Sequence, residues 1–290
     1  MPSSNDSSSE GPRPDTSSPA ESSPDTHLTL PPIATRLYFS DLKQYRKLGN
    51  NKSHSHVYHI SPDRVAKTGP RVTPGEASAL RLAHERGIPV PTVHDVYQDP
   101  ETSWWVLILS HISGDILDEE WDVLTADEKQ SIFASLKTIT TTLRSTKPSR
   151  CISSVDLAGI TDSVFLPRYS GPFINETEFV QALIQSLSAR QEGPWMQLLE
   201  KMLLAMPSHG GEFMFTHGRL NPQNVLLRGG ELVGVLDWAE AGYYPRYWET
   251  VKAAFWQADL EFFLEALERG VLEGCMWELG VMLHVRDIVF

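Results

Sequence analysis

The sequence predicts a protein of mixed α-helix and β-strand, with strands concentrated before residue 110 and helices dominating after residue 125. Between residues 45 and 109, short apolar segments alternate with polar turns, as expected of strands. After residue 125, apolar side chains recur at helical spacing over stretches long enough for several helices. A stretch at 213–238 interrupts these helices with short strand-like segments. We therefore expect a strand-rich part followed by a larger helical part.

Length and composition limit the class of protein. A chain of 290 residues can form one large domain or two closely packed lobes. Its formal net charge of -12 argues against nucleic acid as a partner and would suit a cationic small molecule better. Cys151 and Cys275 are the only cysteines, so a disulfide framework is excluded and a reducing compartment fits. No apolar run approaches the roughly 20 residues of a membrane span, and the N-terminus lacks an apolar signal core. We expect a soluble, cytoplasmic protein without a membrane partner.

Residues 1–32 are predicted to be a disordered tail. They are rich in Ser, Pro, Asp and Glu and almost free of large apolar side chains until Leu28. Such a segment cannot bury enough surface to offset the entropy that it would lose on ordering. Order is expected to begin near Leu37.

The first ordered part is predicted to contain five strands and one helix. The helix begins near Thr73 and buries Ala77 and Leu80 on one face. The run WWVLIL is apolar on both faces, which predicts a central strand covered by a helix. His54, His56 and His59 could suggest zinc, but no acidic or thiol ligand lies nearby, so we expect no zinc there. The predicted strands are Tyr45–Asn50, Val57–Ile60, Val65–Thr68, Thr92–Tyr97 and Trp104–Leu109.

The second part is predicted to be mostly helical. Thr125 and Glu128 form a capping box at the start of a helix that ends near Arg144. Residues 145–172 contain several Pro and Gly breakers and are predicted to be irregular. Further helices are expected from about Glu176, over Pro194–Ala205, from near Tyr247, over Leu260–Arg269 and over Glu273–Val285.

Two side-chain clusters in this part allow both a structural and a functional interpretation. An acidic run either attracts cationic ligands or forms the solvated first turn of a helix, which we favour because carboxylates stabilise helix N-termini. An aromatic cluster either stacks a ligand or packs a loop onto the next helix. The acidic run comprises Asp115, Asp118, Glu119, Glu120 and Asp122, and the aromatic cluster comprises Tyr243, Tyr244, Tyr247 and Trp248.

The stretch 213–238, FMFTHGRLNPQNVLLRGGELVGVLDW, carries the candidate chemistry. A polar loop that starts at His217 follows an apolar strand end, and Pro222 prevents a regular ladder there. Asn224 precedes the next predicted strand, and Asp237 ends the strand after it. Amide and carboxylate oxygens at the ends of neighbouring strands are ligands of the kind that Mg²⁺ takes. A metal held in this way would serve phosphoryl transfer.

This stretch resembles the catalytic and metal-binding segment of the aminoglycoside phosphotransferase family, whose fold is similar to that of protein kinases. The family pattern is H-G-D-x-x-x-x-N, followed by a strand pair and I-D-W or a similar triplet. The corresponding residues here read H-G-R-L-N-P-Q-N and then L-D-W. The next residues, AEAGYYPRYWETVKAAF, resemble the version common in fungal members. The resemblance covers about residues 40–285.

The resemblance implies a two-lobed α+β fold, with a small antiparallel sheet in an N-lobe at 37–110 and a mainly helical C-lobe at 115–290. Together the two lobes would make one aminoglycoside phosphotransferase-like domain. ATP and Mg²⁺ are the implied cofactors, and the hydroxyl of an unidentified small molecule is the implied phosphoryl acceptor. The turn at 49–56, GNNKSHSH, lies where such a fold covers the phosphates, although it contains a single Gly.

The resemblance also assigns roles to individual residues. Lys67 matches the lysine that binds the nucleotide phosphates, and Glu76 matches its partner on a helix. The segment SHISG at 110–114 matches the hinge, whose backbone at Ser110 and Ile112 would meet the adenine. Asn224 and Asp237 match the metal ligands, and His217 matches a structural residue of the catalytic loop.

Arg219 occupies the position of the family's catalytic Asp. The family's Asp accepts or orients the acceptor hydroxyl, whereas an arginine stays protonated and offers only donors. Two hypotheses follow. The chain is either a phosphotransferase with impaired catalysis or a nucleotide-binding pseudokinase that acts as a scaffold or regulator.

Overall fold

The N-terminal part of the protein is a five-stranded antiparallel sheet, in which the fifth strand along the sequence pairs between the third and the fourth. The coordinates are a computed structural model that describes residues 36–49, 55–208, 210–256 and 260–289. The predicted tail at 1–32 and most of the 49–56 turn, including His54, lie outside the described residues. Each of the five predicted strands is confirmed. They are β1 (Arg46–Leu48), β2 (His56–Ser61), β3 (Arg64–Gly69), β4 (Val93–Gln98) and β5 (Trp105–Ser110).

The two faces of this sheet are covered differently. Because side chains alternate along a strand, Ala66 of β3 faces a small cluster under helix α1 (Phe39–Leu42). Val65 faces the other side, where the sheet packs against helix α2 (Pro74–Glu85). Lys67 shares the face of Val65, and its side chain is therefore directed towards α2 and the rest of the protein.

The C-terminal part is built mainly of helices. The predicted capping box is confirmed, since Thr125 and Glu128 cap the first long helix of this part. The largest buried cluster runs without interruption from the sheet to these helices. In the described ranges, no helix combines the length and apolarity needed to cross a membrane. The helices are α3 (Leu117–Glu120), α4 (Ala126–Ser145), α5 (Glu176–Ser188), α6 (Pro194–Leu204), α7 (Trp248–Trp256), α8 (Leu260–Glu268) and α9 (Met276–Val289).

Small sheets between these helices position the stretch 213–238. Three strands pair in the order β11 (Glu231–Val235), β10 (Val225–Arg228) and β6 (Asp115–Ile116). Strand β9 (Met214–Thr216) pairs with β12 (Gly242–Tyr244). In the first of these sheets, Val225 pairs with Val235, so Asn224 and Asp237 lie at the same end of the hairpin.

The prediction that residues 145–172 are irregular is wrong in part. Strands β7 (Ile160–Asp162) and β8 (Leu166–Ser170) form an antiparallel hairpin there. Pro167 lies within β8, where we expected a break. Both strands of a two-stranded hairpin are edge strands, and an edge strand tolerates a proline because one of its sides needs no ladder donor.

The acidic run and the aromatic cluster, for which the sequence allowed two interpretations each, have structural explanations. Tyr244, Tyr247 and Trp248 are almost completely buried, so they pack the loop onto α7 and do not form an open platform for a ligand. Tyr244 and Trp248 stack with ring centroids 5.6 Å apart. The acidic residues around α3 are mostly exposed, as expected of a solvated first turn.

Candidate functional site

Lys67 joins the sheet to the helical part through two ion pairs. Its Nζ lies 2.6 Å from Oε1 of Glu76 on α2 and 2.8 Å from Oδ1 of Asp237, which follows β11. Lys67 and Glu76 are buried, and the Asp237 side chain is 23% exposed. The structure thus brings together three of the residues that the sequence predicted to act together.

The start of helix α2 places the carboxylate of Glu76 beside Lys67. Pro74 occupies the first helical turn, where its missing N–H and fixed φ are tolerated. Glu76 follows in the same turn, where the positive end of the helix dipole favours a carboxylate. Its Oε1 bonds to Lys67, whereas its buried Oε2 has no hydrogen-bond partner among the described residues.

The ion pairs control the protonation of Lys67 and Asp237. Burial alone would lower the pKa of Lys67, but the carboxylates of Asp237 and Glu76 outweigh burial and raise this pKa. Burial would likewise raise the pKa of Asp237, but Lys67 and then Arg219 hold it well below its usual range. Both groups are therefore charged at neutral pH.

Asp237 adopts an unusual backbone conformation. Its φ is 61°, in the left-handed region that Asp and Asn enter more readily than most residues. The next residue, Trp238, is fully buried, and its indole N–H donates to the carbonyl of Val235 at 3.0 Å. This turn directs the carboxylate of Asp237 towards Lys67 and the loop that begins at His217.

Hydrogen bonds of the His217 ring organise that loop, and its role as the structural residue of a catalytic loop stays a prediction. Its Nδ1 accepts the N–H of Arg219 at 3.0 Å, so the ring proton lies on Nε2, which donates to the carbonyl of Leu236 at 3.0 Å. Burial lowers the pKa of His217 to about 4. The imidazole is therefore neutral, and both nitrogens serve to join the loop to the strand end before Asp237.

Glu249 on α7 also fixes the loop, and the sequence reasoning missed it. Its buried carboxylate accepts the N–H of His217 at 2.6 Å and the N–H of Gly218 at 3.2 Å. Gly218 has a φ of 77°, and a Cβ there would lie 2.9 Å from the carbonyl oxygen of Glu240. Glu249 lay within the YYPRYWETVK run, but a single Glu in a helix start gives no signal that it will cap a distant loop.

Asn224 is held close to Asp237. Its Nδ2 donates to the carbonyl of Arg219 at 2.8 Å, and its own carbonyl accepts the N–H of Leu236 at 2.8 Å. A short 3₁₀ turn at Pro222–Asn224, capped by the side chain of Asn221, brings it there. The two predicted metal ligands therefore lie on neighbouring backbone segments.

Arg219 contacts the carboxylate of Asp237 directly. One terminal nitrogen of its guanidinium lies 2.6 Å from Oδ2 of Asp237, and the Arg219 side chain is 25% exposed. Lys67 contacts the other oxygen, so each oxygen of Asp237 has a cationic partner. Glu76, Lys67, Asp237 and Arg219 thus form a chain of alternating charges.

The predicted hinge is held by the C-terminal part. The N–H of Ser110 donates to the carbonyl of Thr92 at 2.9 Å, so this donor serves the sheet. The guanidinium of Arg228 donates to the carbonyl of Ser113 at 2.5 Å. Ile112 packs over Gly234 of β11, where a Cβ would lie 3.1 Å from its Cδ1. The contact of Ser110 and Ile112 with a purine stays a prediction, and a purine would use other backbone groups than the N–H of Ser110.

A buried lysine, which the sequence reasoning also missed, supports the segment after Asp237. Nζ of Lys252 on α7 lies 2.6 Å from Oδ2 of Asp162 and 2.8 Å from Oε2 of Glu240, and all three side chains are buried. The N–H of Ser163 donates to the other oxygen of Glu240 at 3.0 Å. Lys252 therefore ties the β7–β8 hairpin to the segment that follows Asp237.

The side-chain oxygens of Asn224 and Asp237 suit a hard divalent cation, but Arg219 already contacts one oxygen of Asp237. The amide of Asn224 and the carboxylate of Asp237 offer the oxygen ligands that Mg²⁺ prefers. The orphaned Oε2 of Glu76 is a buried acceptor that a bound water or cation would satisfy. A cation at Oδ2 of Asp237 would have to displace or share the contact with Arg219. In the described ranges, no three His, Cys, Asp or Glu side chains are grouped as a metal site.

Comparison with models of known protein families finds a match over most of this chain. The sequence model of the family described as "Phosphotransferase enzyme family" matches residues 48–280. No curated protein matches the sequence. The stretch with His217, Arg219, Asn224 and Asp237 lies inside the matched range, as do Lys67 and Glu76.

Solved structures share the fold. Aminoglycoside phosphotransferase APH(4)-Ia, as a thermostable mutant with ADP and hygromycin B, is 14% identical with a TM-score of 0.54, over 87% of this chain and 88% of that chain. APH(2")-IIia, with GDP and kanamycin, is 16% identical with a TM-score of 0.58, over 86% of each chain. At these identities the likeness concerns the fold. The α+β architecture with an antiparallel N-terminal sheet and a helical C-terminal part is confirmed.

Proposed function

The chain belongs to the phosphotransferase enzyme family, and we propose that it binds ATP and transfers a phosphoryl group slowly to the hydroxyl of a small molecule. One observation carries this proposal. Lys67 is held between Glu76 and Asp237, at 2.6 and 2.8 Å, where its ammonium can contact nucleotide phosphates.

The nucleotide would bind where the sheet meets the helical part. Lys67 would hold the phosphates, and backbone groups of the segment 110–114 would meet the purine. The solved relatives contain ADP in one case and GDP in the other. ATP is our proposal for this chain, and GTP is the comparison that a test must include.

During phosphoryl transfer, Mg²⁺ would bind at Asn224 and Asp237 once Arg219 releases Oδ2 of Asp237. When bound, Mg²⁺ supplies charge neutralisation at the phosphates of the nucleotide. Lys67 and Asp237 are charged at neutral pH, as such a site requires. His217 and Glu249 keep the backbone around these groups in place.

Catalysis is expected to be slow because the loop offers no general base. Arg219 stands at the position of the family's Asp and offers only donors. His217 is buried, and both of its nitrogens are used in backbone hydrogen bonds. A positioned base contributes roughly 10²–10⁴-fold to a rate, which is about 3–5 kcal/mol. Positioning and charge stabilisation would still support slow transfer.

A nucleotide-binding pseudokinase is the second candidate. The observation that favours it is the ion pair between Arg219 and Asp237 at 2.6 Å. This pair occupies the carboxylate that an active enzyme uses for its metal. A pseudokinase would bind the nucleotide as part of a scaffold or regulator and would show no turnover.

The test measures nucleotide binding first and turnover second. We expect millimolar ATP to raise the thermal midpoint, because a ligand that binds only the folded state stabilises it. Lys67→Ala should abolish the shift, whereas Lys201→Ala, at an exposed site on α6, should keep it. No shift with ATP or GTP would overturn the proposal. Slow phosphoryl transfer to amino alcohols or aminoglycosides would favour the enzyme. The absence of transfer would favour the pseudokinase.

A further inference from the structure

We propose that Arg219 takes the place of a divalent cation at Asp237, so that the site binds a nucleoside triphosphate without metal. This inference rests on the proposed function, since it concerns the same nucleotide site. The carboxylate of Asp237 has a cationic partner on each oxygen, Lys67 at 2.8 Å and Arg219 at 2.6 Å. A metal ion would have to share or replace one of these contacts.

The charges of the site support this assignment. Glu76 and Asp237 are two carboxylates, and Lys67 and Arg219 are two cations, so the formal charges of these four side chains cancel. An Asp at position 219 would leave three carboxylates and one cation. Exchanging that Asp for Arg changes the local charge by two positive units, which equals the charge of one Mg²⁺.

The position of Arg219 is fixed by its backbone. Its N–H donates to Nδ1 of His217 at 3.0 Å, and its carbonyl accepts Nδ2 of Asn224 at 2.8 Å. The backbone of Arg219 is therefore anchored beside both predicted metal ligands, and the contact with Oδ2 of Asp237 at 2.6 Å holds the guanidinium. A cation fixed in this way loses little freedom on binding a phosphate, which favours affinity.

The Arg219 guanidinium is also accessible to a ligand. Its side chain is 25% exposed and that of Asp237 is 23% exposed, whereas Lys67 and Glu76 lie deeper. Phosphate oxygens accept readily from a guanidinium, which carries five N–H donors. Arg219 and Lys67 can thus donate hydrogen bonds to the triphosphate oxygens that a metal would otherwise contact, in a site whose own formal charges sum to zero.

The experiment titrates the full chain with a fluorescent ATP analogue, once in Mg²⁺ and once in EDTA. We expect the two dissociation constants to agree within about threefold, because protein cations supply the charge. Arg219→Asp should create a metal requirement, with binding in EDTA weaker than in Mg²⁺ by at least about tenfold. Arg81→Asp makes the same charge change on the exposed face of α2 and should leave the ratio unchanged.

The outcomes separate this inference from the proposed function. Binding in Mg²⁺ but a hundredfold loss in EDTA for the unaltered chain would overturn the inference and leave the function standing. Absence of binding in both buffers would overturn both. Should Arg219→Asp fail to fold, Arg219→Met and Arg219→Lys provide the same test. Lysine should keep binding in EDTA and methionine should weaken it, and equal affinities of the two would contradict the role of charge.

Discussion

The carboxylate of Glu249 accepts the N–H of His217 at 2.6 Å, so helix α7 holds the start of the candidate catalytic loop. The same carboxylate accepts the N–H of Gly218, and the side chain is buried. His217 in turn bonds to the backbone of Arg219 and Leu236. Helix α7 thus fixes the loop through the backbone of His217 and Gly218.

Glu249→Gln should therefore destabilise the protein by about 2–3 kcal/mol. A glutamine of the same shape has one acceptor oxygen, and its NH₂ group would face a backbone donor. At least one buried N–H of the loop would then lose its partner. Urea unfolding followed by circular dichroism measures this loss in the free energy of unfolding.

Glu200→Gln provides the matched control for this prediction, since Glu200 is exposed on α6. It should leave the free energy of unfolding within about 0.5 kcal/mol of the parent. Equal stability of Glu249→Gln and Glu200→Gln would show that the loop does not depend on the carboxylate.

His217 should make stability depend on pH between about 4 and 6.5. Burial lowers the pKa of His217 from 6.5 to about 4, so in this window the unfolded chain takes up a proton that the folded chain does not. The contribution is fully present above pH 6.5 and is lost as pH falls towards 4. It amounts to at most about 3 kcal/mol.

Unfolding curves at several pH values, for the parent and for His217→Gln, isolate this contribution. The variant should lose that part of the slope, whereas His84→Gln, at an exposed site on α2, should not change the slope. NMR of the ring protons gives a direct reading in the unaltered chain. Titration of His217 near 6.5 would show that the imidazole is not held neutral.

Lys252→Met should destabilise the protein strongly, by about 3–5 kcal/mol. The change leaves Asp162 and Glu240 as buried carboxylates without the lysine that lies 2.6 and 2.8 Å away. The free energy of unfolding measures the loss. Lys201→Met, at an exposed site, is the control and should have little effect.

A triple variant tests the cause of that loss. Adding Asp162→Asn and Glu240→Gln to Lys252→Met removes the unpaired charges while each amide oxygen can keep its backbone donors. Most of the stability should return, since buried ion pairs can often be replaced as a unit. A triple variant as unstable as Lys252→Met alone would point to lost packing of the lysine stem, not to uncompensated charge.

The sequence predicted those parts of the fold that local patterns determine. The capping box of Thr125 and Glu128, the five strands of the sheet and the start of α2 depend on neighbouring residues, and all are confirmed. The hairpin β7–β8 was missed because Pro167 is a breaker in most strands and is tolerated only at an edge. Edge position depends on the tertiary structure, which local patterns do not contain.

The residues of the candidate site also divide into those that local sequence patterns predict and those that depend on the tertiary structure. Lys67 and Asp237 could be named from motif positions, and in the structure Nζ of Lys67 lies 2.8 Å from Oδ1 of Asp237. Glu249 and Lys252 could not be named, because each acts on residues distant in sequence and is an ordinary helix residue by composition. From the sequence, the resemblance implied that Arg219 stands where the family has an acid, but only the structure shows which carboxylate Arg219 pairs with.

Arg219→Asp should create or raise phosphoryl transfer. The change would give the stretch the H-G-D-x-x-x-x-N pattern that the resemblance implies and would place a carboxylate where the resemblance puts the acceptor hydroxyl. It also removes the guanidinium that lies 2.6 Å from Oδ2 of Asp237, so this oxygen becomes available to Mg²⁺. The gain in rate from the base alone is roughly 10²-fold or more.

Because the acceptor is unidentified, water can replace it in the first assay. ATP hydrolysis is measured for the parent and the variant, and amino alcohols and aminoglycosides are then screened as acceptors. Adding Asp237→Ala to the variant should abolish the gain, since the carboxylate that the metal needs is removed, whereas Arg81→Asp should give no gain at all. If the parent already works at an ordinary kinase rate of about 1–100 s⁻¹ and Arg219→Asp slows it, Arg219 is itself a catalytic residue. In that case the guanidinium would act on the transferred phosphoryl group, and the pseudokinase interpretation would be wrong.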